Sequence, residues 1–226
     1  VVTGVGDGWY RCSITGTNSA TTIFFIELAV AGATSYSGDG ASGIYIWGAQ
    51  VEVGAFPTSY IRTTTATVAR TADNTTMTGT NFSDWYNQTE GTFVVELSSV
   101  QSNTTNGTMY AVTDGTNNNK VTAYKNSNDV LVGQIKTASP SSNFGFQEGT
   151  NTSSKFAHAF ISGDITVAAD GSVDAGATTA WAGTMTQMLI GYGTNNASSE
   201  YLNGHISRIT YWPYRLPDTE LQNKTI

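Results

Sequence analysis

Short runs rich in Val, Ile, Thr, Tyr and Phe recur along the whole chain, separated by Asn, Asp, Gly and Ser, with almost no helical periodicity. That pattern specifies strands and turns. It predicts strands over Gly8–Thr15, Thr22–Val30, Gly43–Val53, Thr92–Leu97, Thr108–Thr113 and Lys120–Lys125, and again over Val130–Ile135, Ser154–Ser162, Ile165–Ala169, Gln187–Gly191 and His205–Trp212. Asp-Gly pairs stand beside strand-like sequence at Asp7-Gly8, Asp39-Gly40, Asp114-Gly115 and Asp170-Gly171. The best hairpin signal is Asp170-Gly171, with Ile165-Thr166-Val167-Ala168 before it and Ser172-Val173 after it, because two-residue hairpin turns favour Asp-Gly. Antiparallel pairing is the consequence. Parallel strands would need long crossovers, usually helical, and the helical signals are two short segments around Phe82–Tyr86 and Pro217–Leu221. The predicted class is all-β: an antiparallel β-sandwich preceded by a partial β segment.

A boundary is expected near Tyr60–Thr71. Gly43–Gly54 reads as a long strand, Phe56-Pro57 breaks it, and Thr63-Thr64-Thr65-Ala66-Thr67 reads as an extended connector. Residues 1–62 carry too few strands to bury two faces, so they read as the closing part of an upstream sandwich or as a piece that docks onto the next domain. Residues 63–226 carry enough strands for a complete sandwich. The chain opens on Val1-Val2-Thr3, directly in strand-like sequence, and reads as a piece of a longer polypeptide.

Only 12% of residues are charged, so the surface must be solvated by the hydroxyls and amides of abundant Thr, Asn and Ser. This suits an extracellular or virion β protein. A net charge of -7 with ten Lys and Arg argues against a nucleic-acid partner, which selects clustered cations. No apolar run approaches the roughly 20 residues that span a bilayer, and Thr22–Ala33 is broken by Glu27 and Gly32, so no membrane insertion is expected. Cys12 has no second cysteine to pair with; beside Trp9-Tyr10 it reads as a small buried apolar residue.

Gly8-Trp9-Tyr10-Arg11-Cys12-Ser13 and Gly43–Ile61, with its Ile44-Tyr45-Ile46-Trp47-Gly48-Ala49-Gln50-Val51-Glu52-Val53-Gly54 core, resemble the end of a carbohydrate-binding-module-like jelly roll of phage and prophage structural proteins. Arg70-Thr71-Ala72-Asp73, Gly91-Thr92-Phe93-Val94-Val95-Glu96 and Asn203-Gly204-His205-Ile206-Ser207-Arg208-Ile209 are similar to the first and last strands of a concanavalin A-like (laminin-G-like) domain. The resemblance implies residues 1–62 as the C-terminal part of the first sandwich and residues 63–226 as the second. It further implies a virion appendage, a tail fibre or spike, that touches a bacterial surface. It assigns no ligand, because that fold serves binding, hydrolysis and packing alike.

Glucanases of that fold resemble one another in placing two Glu around an Asp on one strand, and neither Glu-x-Asp-x-Glu nor Glu-x-Asp-x-x-Glu occurs here. Asp164, Asp170 and Asp174 straddle the predicted hairpin and read as turn and rim residues. A carboxylate pair such as Glu96 with Glu148 is the alternative that a polysaccharide-degrading enzyme would require. His158 alternates with Phe156 and Phe160 along one strand face, facing the core or lining a groove. His205 begins the last strand, and no Gly-x-Ser-x-Gly elbow accompanies either histidine. One Cys and two separated His cannot make a four-ligand zinc site. Calcium is the one cofactor with candidate donors, Asp114, Asn117 and Asn118, or Asp73 and Asn74, although Asx-turns account for them equally well. The Gly38, Gly40, Gly43 string is followed by strand-like Ile44–Trp47, not by the helix that a phosphate site needs.

Sugar sites set a flat ring against the pyranose and amides against its hydroxyls. Trp9 and Trp47 fall in predicted strands and read as core. Trp85, Tyr86, Trp181 and Tyr192 fall in loop-like sequence and are the candidate glycan-binding residues, with packing across a subunit interface as the competing reading. Together with the resemblance, which implies the virion setting, these features predict a non-catalytic adhesion module, partnered by a host-surface glycan and by other virion subunits in a homo-oligomer, a trimer being favoured. The alternatives are a polysaccharide-degrading domain and a purely structural fibre or decoration module.

Overall fold

Period-two alternation builds nearly every element. The computed structural model describes residues 1–17, 37–41, 43–54, 56–71, 73–98, 106–137, 141–147, 154–175, 184–194 and 200–226. The chain divides into two units, Val1–Arg70 and Thr71–Ile226. In the first unit, β1 (Val2–Gly6) and β2 (Trp9–Cys12) form an antiparallel hairpin with a bulge between Gly4 and Gly6. Asp7 and Gly8 supply its turn with φ of 50° and 78°, the left-handed pair that a tight hairpin turn demands. No described residue of this unit is buried. Trp9 is 47% and Trp47 is 73% exposed, and Cys12 is exposed too. Reading these three as core is therefore corrected, because one hairpin leaves both its faces open unless a second layer covers it.

Gly43–Val53 is a second correction: no strand runs through its described residues. Gly48 turns left-handed at φ 69°. Side chains then tie the stretch to residues 58–61, with Ile61 N–H donating to Gln50 Oε1 (2.9 Å) and Thr58 N–H to Glu52 Oε1 (2.6 Å). The bonds from Thr58 hold Glu52 below its ordinary carboxylate pKa. The predicted strand Thr22–Val30 lies outside the described residues.

The second unit is a two-layer antiparallel sandwich. In chain order it runs β3 (Thr75–Thr78), α1 (Thr80–Ser83), β4 (Glu90–Ser98), β5 (Gly107–Thr113), β6 (Asn119–Lys125), β7 (Val130–Thr137), β8 (Ser141–Gln147), β9 (Ser154–Ile161), β10 (Asp164–Ala169), β11 (Ser172–Ala175), β12 (Gln187–Ile190), β13 (His205–Trp212) and α2 (Asp218–Thr225). One sheet has the order β11-β10-β9-β4-β13 and the other β3-β12-β5-β6-β7-β8. The Asp170-Gly171 hairpin forms as expected, joining β10 to β11 with φ of 48° and 74° in its turn. The unpredicted strands β3 and β8 are the two edges of the six-stranded sheet. Their sequences, Thr-Thr-Met-Thr and Ser-Ser-Asn-Phe-Gly-Phe-Gln, lack the run of aliphatic residues that marks a central strand.

Between the sheets, Phe93 and Val95 of β4, Tyr110 and Val112 of β5, Ile135 of β7, Phe156 and Phe160 of β9 and Val167 of β10 are essentially inaccessible. Gly133 lets the layers approach: a Cβ there would lie 2.6 Å from Val167 Cγ1 and 3.1 Å from His158 Cδ2. His158, on β9, faces this core and shares a 2.9 Å hydrogen bond between its Nδ1 and the hydroxyl of Tyr110 on the opposite sheet. Burial drives its pKa down to about 3, since a dry core disfavours the imidazolium.

A second apolar layer covers the outer face of the five-stranded sheet. Val94, Ala157, Ala159 and Ala168 pack there against Leu216 and Leu221 of the closing segment. Thr92 Oγ1 donates to Tyr214 O and accepts from Leu216 N–H, both at 2.9 Å. Arg215 bridges Asp164 (3.1 Å) and Asp218 (2.7 Å).

Because the unfolded histidine titrates near 6.5 and the folded one near 3, the unfolded state binds the extra proton between those values. Stability is thus full above about pH 6.5 and falls as pH drops toward 3, by up to about 1.4 kcal/mol per pH unit from this group. Denaturant melts from pH 7 to 4 should show this loss, and a His158→Leu/Tyr110→Phe double variant should show a shallower slope. An equal slope in the double variant would mean that His158 is not the titrating group.

Candidate functional site

The outer face of the six-stranded sheet is polar, unlike its counterpart under α2. On β6, Val121 and Ala123 face the core, so Lys120, Thr122 and Tyr124 face outward; on β7, Leu131 and Ile135 face the core, so Gln134 and Lys136 face outward. Register then sets Lys120 opposite Lys136, Thr122 opposite Gln134, and Thr108 of β5 opposite Tyr124. With Asn106, Asn117 and Glu200 these side chains line a groove of about 160 Å³.

Glu200 arrives from the segment between β12 and β13. Thr108 N–H donates to Glu200 O at 3.1 Å, and Thr108 makes a parallel bridge with Tyr201. Gly193 makes room for the carboxylate, since a Cβ there would sit 1.9 Å from Glu200 Oε2 and 2.9 Å from Thr108 Oγ1. At the other end Thr194 Oγ1 donates to Asn117 Oδ1 (3.0 Å). Lys120 is only 8% exposed. Burial lowers its pKa, Glu200 opposes that shift, and Lys136 adds to it. Burial and the same carboxylate raise the Tyr124 phenol.

Such a groove offers amides, hydroxyls, one phenol ring and three charged groups. Glu200 is the only carboxylate among the described residues lining it, so no pair of acids for glycosidic hydrolysis meets there. Glu96 lies on β4 in the other sheet, 3.8 Å from Arg208, and Glu148 lies outside the described residues.

The aromatics singled out in sequence fall in three settings. Tyr86 is 6% exposed and stacks between Phe82 (4.8 Å) and Tyr211 (5.8 Å), so its ring belongs to the core. Trp85 is half-buried, edge-on to Phe82 and Tyr211, with its Nε1–H donating to Asn81 O (2.7 Å). Tyr192 is half-buried, bonds Thr76 Oγ1 and stacks at 6.0 Å on Tyr201, the residue after Glu200. Trp181 lies outside the described residues.

Asp114, Asn117 and Asn118 do not converge on one point. Asp114 Oδ1 accepts from Thr116 N–H (2.8 Å) and Thr116 Oγ1 (2.6 Å), and its Oδ2 accepts from Asn119 Nδ2 (2.6 Å). Burial pushes that carboxyl up, but the bonds from Thr116 and Asn119 outweigh it and hold it below its ordinary pKa. Asn117 turns to the groove, while Asn118 N–H donates to Thr116 Oγ1 at 3.1 Å. Among the described residues no three His, Cys, Asp or Glu gather as a metal set, and no helix there is long and apolar enough to cross a membrane.

Lys120, Thr122, Tyr124, Gln134, Lys136 and Glu200 escaped sequence reading. For the strand residues the signal was present: Lys-Val-Thr-Ala-Tyr and Gly-Gln-Ile-Lys alternate polar with core residues.

No protein-family model and no curated protein matches the sequence. Solved structures do. The chain is similar to the CBM40 of the Ruminococcus gnavus IT-sialidase bound to α2,3-sialyllactose, at 15% identity and a TM-score of 0.53 over 62% of this chain and 84% of that one. It is similar to the NanB sialidase of Streptococcus pneumoniae at 11% identity and a TM-score of 0.55, over 67% of this chain and 26% of the enzyme. A leech intramolecular trans-sialidase matches at 15% identity and a TM-score of 0.50, over 62% of this chain and 23% of that one. The fold is therefore an antiparallel jelly-roll β-sandwich, like that of these solved structures. At these identities the likeness carries the fold, and function must come from the site.

Glu200 is the carboxylate that opposes the downward shift of Lys120. Glu200→Gln should therefore lower the Lys120 titration midpoint further, read by NMR of the lysine side chains. An unchanged midpoint would place Glu200 outside the groove.

Proposed function

We propose that Thr71–Ile226 is a non-catalytic carbohydrate-binding module whose ligand lies in the groove on the outer face of the six-stranded sheet. The carrying observation is the groove itself: Asn106, Asn117, Gln134, Thr108, Thr122 and Tyr124 set amides, hydroxyls and a ring around one recess. Pyranoses present this complement, with hydroxyls that both donate and accept and an apolar C–H face for a ring. That solved neighbours include an isolated carbohydrate-binding module carrying sialyllactose supports the reading.

The resemblance of residues 8–13 and 43–61 to phage jelly-roll ends supports a finer assignment. In it the chain is part of an extracellular virion appendage, symmetric and homo-oligomeric, that adheres to a glycan of the host surface beside other virion subunits. A glycan array read with wild-type protein and with Tyr124→Ala and Gln134→Ala tests the binding claim. Wild type should bind at least one glycan class, and each substitution should weaken it by about three- to tenfold with the fold intact by circular dichroism. Binding indifferent to both substitutions would overturn the groove assignment, and no binding to any glycan would favour a purely structural module.

A further inference from the structure

The groove holds an uncommon pairing for this chain. Lys120 and Lys136 stand directly opposite each other on β6 and β7, on one face of the sheet, where like charges repel. They lie close enough for Lys136 to disfavour the charged form of Lys120. Elsewhere in Thr71–Ile226 each lysine and arginine has its own partner. Lys125 pairs with Asp129, Arg208 with Glu96, and Arg215 with Asp164 and Asp218; Lys155 donates to Ile226 O, and Lys224 lies over the Trp212 ring. The two groove lysines share one carboxylate, Glu200, among the described lining residues. Two ammonium groups and one carboxylate leave the recess at +1 in a chain of net charge -7.

We infer that the groove selects a sugar carrying one negative charge, its carboxylate or sulfate received between Lys120 and Lys136 while the amides and Tyr124 take its hydroxyls. This rests on the groove being the glycan site. A single charge matches the recess: a neutral sugar leaves the facing ammonium groups uncompensated, and a doubly charged phosphate meets Glu200. The buried setting of Lys120 strengthens such a pairing, because low local dielectric and charge assistance make the bond stronger than one to a neutral hydroxyl.

The test titrates the protein, by calorimetry, with α2,3-sialyllactose, trigalacturonate, lactose 3′-sulfate and plain lactose. At least one charged probe should bind about tenfold or more tightly than lactose and should weaken with added salt. Carboxylated probes without the sulfate would assign a carboxylate, and both would assign charge alone. Lys136→Gln should erase about tenfold of that preference for the charged probe over lactose. It is the main variant because Lys136 is less buried than Lys120, and circular dichroism checks its fold. If lactose binds as well as the charged probes, or Lys136→Gln keeps the preference, the charge inference is overturned. The groove reading would still stand in that case wherever Gln134→Ala weakens binding. If none of the four probes binds, the charge inference falls, and the glycan array decides the groove reading separately.

Discussion

One buried hydrogen bond, between Tyr110 on β5 and His158 on β9, joins the two layers of the sandwich at its centre. Both residues are fully buried, and a polar group so placed costs free energy unless it is paired across the core. The bond therefore fixes one spacing and one register between the sheets. Gly133 belongs to the same constraint, because any side chain there would strike His158 and Val167. Phe93, whose ring centroid lies 4.4 Å from that of Tyr110, packs against the same point from β4.

That register also decides where a ligand can go. Once Val121, Ala123, Leu131 and Ile135 are committed inward, the residues between them must face out, so Lys120, Thr122, Tyr124, Gln134 and Lys136 form one surface. On the opposite outer face Leu216 and Leu221 cover Val94, Ala157, Ala159 and Ala168, and the recess left beside them is lined by Glu96, Lys155, Asp170, Ser207, Thr225 and Ile226. The closing segment thus covers the apolar part of one face of the sandwich and leaves the polar face of the six-stranded sheet open.

The sandwich was legible where strands are central and apolar. Thr92–Leu97 and Lys120–Lys125 read correctly because buried strands need Val, Ile and aromatic residues; the edge strand His205–Trp212 read correctly because Ile206, Ile209 and Tyr211 still pack against the core, and the Asp170-Gly171 turn because its φ values favour Asp and Gly. The edge strands Thr75–Thr78 and Ser141–Gln147 did not read, since an edge with one partner needs few apolar residues. Gly43–Val53 misled for the opposite reason: its aliphatic alternation is ideal, yet Gly48 and the Gln50 and Glu52 side chains bend it away from a ladder. The site was hidden because large aromatics drew attention to loops, and Tyr86 shows why that signal is weak: an aromatic beside a short helix is as easily a core plug. Alternating polar residues within apolar strands marked the groove, but which face lay open became visible only once α2 had its place.

Amide chemical-shift mapping of the protein titrated with mixed sialyllactose, galacturonate oligomers and lactose addresses the central claim most directly. The groove predicts shifts concentrated on Thr108, Lys120–Tyr124, Gln134–Lys136 and Glu200. Shifts confined to Trp85 and its neighbours, or to the outer face under α2, would contradict it.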